Sequence, residues 1–223
     1  ILTHCPFEPT PDSPDWDPAS EGSPTYKGDP KYFGDMVEYM DKIVGKLADR
    51  LEAAGVRENT LFIFTGDNGT DEPVVSMVDG REVAGGKWKT TDAGTRVPLI
   101  VEWPGKTPRG AVCEDLVDMS DFMPTICEAA GIALPEDETY DGRSFLPQLL
   151  GKEGNPREWV YVWFSRSGER EEAKIFARTR RYKLYESGEF YYVSEDVLEQ
   201  RPLADSGLSD QARQAKEKLE GVL

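Results

Sequence analysis

Asp67 and Asn68 stand side by side between Gly66 and Gly69, directly after the apolar run Thr60-Leu61-Phe62-Ile63-Phe64-Thr65. A carboxylate and an amide oxygen at the end of a strand can both turn toward one hard cation, and the flanking glycines leave the backbone free to let them. Two oxygens are too few, because calcium takes about six to eight. On these residues alone a plain Asn-Gly turn accounts for the pair equally well. A second candidate runs from Gly85 to Pro98, where small residues surround Lys87, Lys89 and Arg96. Small residues let backbone approach a ligand and the cations suit an anionic one; taken alone, a solvated surface loop explains the segment better. The third candidate is His4, the only histidine, where an apolar opening segment meets a proline-rich stretch. A lone histidine is more often structural than catalytic, and its place at an expected strand end is what makes it a candidate.

These residues must be positioned by elements that the sequence pattern marks out. Seven prolines between Pro6 and Pro30 deny helix and sheet their amide donors, so that stretch is a loop. From Lys31 the residues Phe33, Met36, Val37, Met40, Ile43, Val44, Leu47 and Leu51 recur at three- and four-residue steps, predicting an amphipathic helix that stops at Gly55. Thr60–Thr65 and Val97–Trp103 read as continuous apolar strands of the kind buried on both faces of a parallel sheet, which places the polar 66–94 stretch at a strand end, where α/β sheets carry their chemistry. Asp118–Ala130 reads as a helix capped by Ser120 or Asp121 and stopped at Gly131, with a short helical turn within 142–151. Past Pro156 four short aromatic and β-branched runs, 159–164, 174–178, 182–185 and 190–193, are spaced as an antiparallel meander. The acidic 167–172 stretch reads as a solvated hairpin tip, and 210–219 as a terminal helix. The organisation expected is therefore 1–153 followed by a smaller 154–223 subdomain.

Composition bounds what such a protein can bind. Its 223 residues suffice for a substantial core, and 42 acidic against 26 basic side chains give a net charge of −16. That field argues against nucleic acid and anionic membrane surfaces, which are held by clustered Lys and Arg. No run is long and apolar enough for a membrane span, and Cys5, Cys113 and Cys127 have neither the number nor the C-x-x-C spacing of a disulfide framework or zinc site. The compartment is left open.

Taken in order, the motifs resemble a known family. They are His-x-Pro; the amphipathic helix; Thr60-x-x-x-x-Thr65-Gly66-Asp67-Asn68-Gly69; Lys87 followed after eight residues by Arg96-Val97-Pro98; and Asp141-Gly142-Arg143-Ser144-Phe145-Leu146-Pro147-x-Leu149-x-Gly151. This series is similar to the sulfatases of the alkaline-phosphatase superfamily, and residues 178–184 and 196–200 resemble that family's C-terminal subdomain. The resemblance implies an α/β fold: part of a mixed sheet sandwiched by helices, then a small antiparallel sheet with a C-terminal helix. It implies a sulfuric ester hydrolase in which Asp67 and Asn68 are two ligands of a divalent cation, usually calcium. Lys87 is then the lysine that contacts sulfate oxygens, and His4 the histidine at the sulfate or bridging oxygen.

Several features depart from the family pattern. Trp88 stands where members usually have glycine after the lysine, and Asp92-Ala93-Gly94 replaces Glu-Gly-Gly. None of the three cysteines lies in the Cys/Ser-x-Pro/Ala-x-Arg motif that is oxidised to formylglycine, and the N-terminal Asp-Asp metal ligands are missing as well. The resemblance therefore implies the C-terminal portion of a longer enzyme whose N-terminal half supplies the formylglycine and is this chain's partner. Alone, the chain is expected to be inactive toward a sulfate ester and to self-associate through an exposed sheet edge. For the parent enzyme periplasmic, extracellular and lysosomal locations all stay open. Other readings that these residues leave open are a phosphodiesterase or phosphonate hydrolase of the same superfamily and a non-catalytic interaction module.

Overall fold

Residues 7–19, 28–78 and 80–223 are described by a computed structural model, in which the chain divides into two compact units between Pro104 and Gly105. In the first unit the expected helix is α1, Phe33–Ala53, after which Gly55 takes the left-handed conformation at φ 70°. The described part of the proline-rich stretch is pinned to this helix. Phe7 is buried edge-on against Phe33 with ring centroids 5.6 Å apart, Asp29 N–H donates to the Phe7 carbonyl, and Lys42 reaches Asp12 at 2.7 Å. The apolar stripe of α1 nonetheless has no fully buried residue, and Leu47 is 47% exposed.

The two apolar runs form β1, Phe62–Thr65, and β4, Leu99–Glu102, which pair with each other antiparallel, Phe62 opposite Glu102 and Thr65 opposite Leu99. This corrects the expectation of parallel strands buried on both faces. The β1 residues are half-buried and Ile100 is 62% exposed, because two strands by themselves cannot cover their own faces. The pair is locked to the turn after α1. Arg57, 9% exposed, pairs with Glu102 and lies 5.2 Å over the Phe62 ring, while Trp103 Nε1 donates to the Glu58 carbonyl at 3.1 Å. Between them lies a hairpin that the pattern reading passed over, β2, Val75–Val78, and β3, Arg81–Ala84, with Gly80 at φ 76° in its turn. A one-turn helix, α2, Asp92–Thr95, precedes β4.

The second unit holds α3, Phe122–Ala130, ended by Gly131 at φ 68° as expected, and the short α4, Leu146–Leu149. Asp121 stands at the N-cap position of α3 as expected but makes no side-chain capping bond there; the capping box belongs to the 3-10 turn Met119–Asp121 before it, where Asp118 accepts from Ser120 N–H and Asp121 accepts from Asp118 N–H in return. Asp121 is instead drawn inward to Arg157. It accepts from Arg157 Nε at 2.8 Å and from Arg143 N–H at 2.8 Å, and is 1% exposed. The meander is present as β5, Val160–Phe164, β6, Lys174–Arg178, β7, Tyr182–Tyr185, and β8, Phe190–Tyr192, in that spatial order and antiparallel throughout. Ser209 caps α5, Asp210–Glu220, which lays Ala212 and Leu219 onto Ala177, Tyr182, Leu184 and Phe190 as the core.

Candidate active site

The site begins where β1 runs out. Gly66 N–H still reaches the Pro98 carbonyl at 3.4 Å, and the chain then bends so that Asp67 and Asn68 are exposed. One residue further, Gly69 N–H donates to the Gly94 carbonyl at 2.9 Å, and a Cβ on Gly69 would collide with the Ala93 carbonyl oxygen. Lys87 N–H donates to the Thr70 carbonyl at 2.9 Å, and Lys89 N–H closes a tight turn onto Gly86 at 2.7 Å. A Cβ on Gly86 would strike the Ala93 backbone, and one on Gly94 the carbonyls of Gly86 and Lys89. Three backbone segments, 66–70, 85–89 and 91–95, are thus in direct contact because glycine occupies each point of closest approach. This contact joins the segment that carries Asp67 and Asn68 to the segment that carries Lys87, which are distant in sequence.

The cations of this region differ in what they have left to offer. Lys89 is paired with Glu72 at 2.7 Å, whereas the half-buried Lys87 holds its ammonium 5.7 Å from the centroid of the Trp88 ring. Arg96 is exposed at the end of α2. Trp88 is 52% exposed and has φ 73°, a conformation that glycine takes freely and a bulky residue rarely does. The backbone path that Trp88 put in question is therefore the left-handed one.

Asp67 and Asn68 supply hard oxygen donors of the type a calcium or magnesium ion takes, on adjacent residues whose flanking glycines, Gly66 and Gly69, are held by backbone hydrogen bonds. The type fits and the number falls short: among the described residues no group of three or more His, Cys, Asp or Glu could hold a metal ion. His4 lies outside the described residues. Among the described residues no helix is long and apolar enough to cross a membrane.

The comparison with known proteins follows the same residues. The Sulfatase family model matches residues 3–132, more than half of the chain, and a model described as N-sulphoglucosamine sulphohydrolase, C-terminal, matches residues 87–220. The chain belongs to the sulfatase family. This sulfatase chain is similar to steryl-sulfatase of Rattus norvegicus, 36% identical over 121 residues that make up 52% of the chain and 21% of the relative. It is similar also to N-acetylgalactosamine-6-sulfatase of Canis lupus familiaris, 35% identical over 128 residues, 56% of the chain and 24% of the relative. A solved protein in complex with its substrate D-glucosamine-2-N,6-O-disulfate superimposes on 86% of the chain and 40% of its own length, with a TM-score of 0.68 at 21% identity, which shows the shared fold. The sulfatase chain thus spans about a fifth to a quarter of the length of the two relatives.

Proposed function

We propose that this chain is part of a sulfuric ester hydrolase, with 1–153 contributing to the catalytic α/β domain and 154–223 forming a supporting subdomain. What supports the reading is the glycine-packed backbone contact between the segment that carries Asp67 and Asn68 and the one that carries Lys87, within the span matched by the sulfatase family. Lys87 binds the sulfate group through charge-assisted hydrogen bonds to its oxygens, and because the residue is half-buried those bonds are screened less than at an open surface. Asp67 and Asn68 would hold two positions of a divalent cation, with calcium the ion proposed. When bound, the cation supplies positive charge for sulfate oxygens in a protein of net charge −16. His4, by resemblance, gives a proton to the departing ester oxygen.

The nucleophile has no candidate in this sequence, since no Cys/Ser-x-Pro/Ala-x-Arg motif occurs. We assign it, with the remaining metal ligands, to an N-terminal half carrying a formylglycine. That half would also cover the α1 stripe and the open faces of β1 and β4; without it, those surfaces favour self-association. The test compares 4-nitrophenyl sulfate turnover by the 223-residue chain and by the longer protein matured with a formylglycine-generating enzyme. Turnover is expected from the longer protein only. Turnover by the chain alone would overturn the division of the site.

A further inference from the structure

We propose that Trp88 determines specificity, its indole being the platform on which a ring-bearing leaving group lies while Lys87 holds the sulfate. The proposal rests on the reading of Lys87 as the sulfate contact.

The first observation is the backbone. Trp88 keeps φ 73° in a turn fixed on both sides, by Lys87 N–H to the Thr70 carbonyl and by Lys89 N–H to the Gly86 carbonyl. Left-handed backbone under a bulky side chain costs folding free energy, persists only where its surroundings impose it, and concentrates at ligand clamps. Glycine would take this position without that cost. The second observation is exposure. At 52% exposed, the indole presents about half of its surface outward. The third is position. The Lys87 ammonium lies 5.7 Å from the ring centroid, so a sulfate oxygen about 2.8 Å from that ammonium sits within one ester linkage and one ring of the indole. An aromatic face prefers flat apolar surface, which aryl rings and the C–H face of a pyranose both present and a linear alkyl chain does not. Stacking of this kind acts on binding before the S–O bond breaks, so its signature falls on KM.

The experiment uses the longer matured protein with Trp88→Gly and Trp88→Phe. Three substrates of equal charge are compared: 4-nitrophenyl sulfate, N-acetylglucosamine 6-sulfate and linear propyl sulfate. Trp88→Gly is expected to raise KM about three- to tenfold for ring-bearing esters, with kcat within twofold and the propyl ester unaffected. Trp88→Phe restores most of the loss. Which ring ester loses more identifies the aryl or the sugar source. The Tm of Trp88→Gly should equal or exceed the parent's, because the glycine relieves the left-handed strain. Equal KM changes for all three esters, or none, overturn the proposal. If the parent hydrolyses none of them, the sulfatase reading fails separately. Equilibrium titration with 4-nitrophenyl sulfate and inorganic sulfate then decides on Trp88: an affinity loss in Trp88→Gly for the aryl ester alone supports the platform, and equal affinities overturn it.

Discussion

The 66–96 region of the first unit and the 157–220 region of the second are both held firmly, by opposite means. In the first, main chain is fastened to main chain where Gly69, Gly86 and Gly94 remove the Cβ, and Asp67, Asn68 and Trp88 are left exposed. In the second, side chains do the fastening. Phe176, Phe190 and Leu219 are buried, and Lys183, 0% exposed, donates to Glu199 at 2.7 Å while its ammonium sits 3.8 Å over the Phe176 ring. Tyr185 O–H donates to the same carboxylate at 2.5 Å, and Asp121 with Arg157 forms a second buried pair. A side chain consumed in holding the fold cannot also meet a ligand, so backbone packing leaves Asp67 and Asn68 available for chemistry.

Breaking the first region should give the largest effect on turnover. Gly69→Ala and Gly94→Ala each force backbone apart at the point that joins Asp67-Asn68 to Lys87. Turnover of 4-nitrophenyl sulfate by the longer matured protein should fall about 100-fold or more, as catalytic groups displaced by about 1 Å typically do. Near-native circular dichroism alongside that loss would separate it from misfolding.

On stability rather than turnover, Lys183→Met in the second region leaves Glu199 buried without its cation. Loss of one partner of such a pair costs about 3–5 kcal/mol, read as a lowered urea midpoint. At saturating substrate, kcat per folded molecule should stay unchanged; a drop in it would mean that the two regions are not as separate in role as their construction suggests.

A smaller effect is pH-dependent. Burial pushes the Asp121 carboxyl up, but the hydrogen bonds from Arg157 and from the Arg143 and Asp118 amides outweigh it and hold it below the ordinary aspartate value. A depressed pKa means stability that is complete above the unfolded-state value near about 4 and lost as pH falls through the folded value. Melting temperature should decline below about pH 4, and Asp121→Asn should flatten that part of the decline while lowering the plateau above it. The smallest effect belongs to the exposed pair of Lys89 with Glu72: Lys89→Met should change stability by less than about 1 kcal/mol.

Elements whose pattern is local were legible in advance. The periodic stripe of α1, the stops at Gly55 and Gly131, all four strands β5–β8 and α5 with its boundaries near Asp210 follow from spacing and turn residues. The hairpin of β2 and β3 was hidden in a stretch read as polar and glycine-rich, although Asp79-Gly80 between Val75-Ser76-Met77-Val78 and Arg81-Glu82-Val83 carries the signal of a two-residue turn. The partner of Asp121 was not legible, because Arg157 lies 36 positions away and nothing local distinguishes a capping carboxylate from one drawn into an ion pair.

For the site the division is sharper. Residue types marked Asp67-Asn68, the 85–98 segment and His4 as candidates, and the family resemblance then picked out Lys87 within that segment and Trp88 as a departure. Chemistry depends on side-chain identity, which a sequence states outright. That 66–70, 85–89 and 91–95 meet, that β1 and β4 run antiparallel, and that Trp88 adopts φ 73° were decided by tertiary structure. Each is a contact between segments far apart in the chain, and pairing direction and backbone strain exist only once those segments have met.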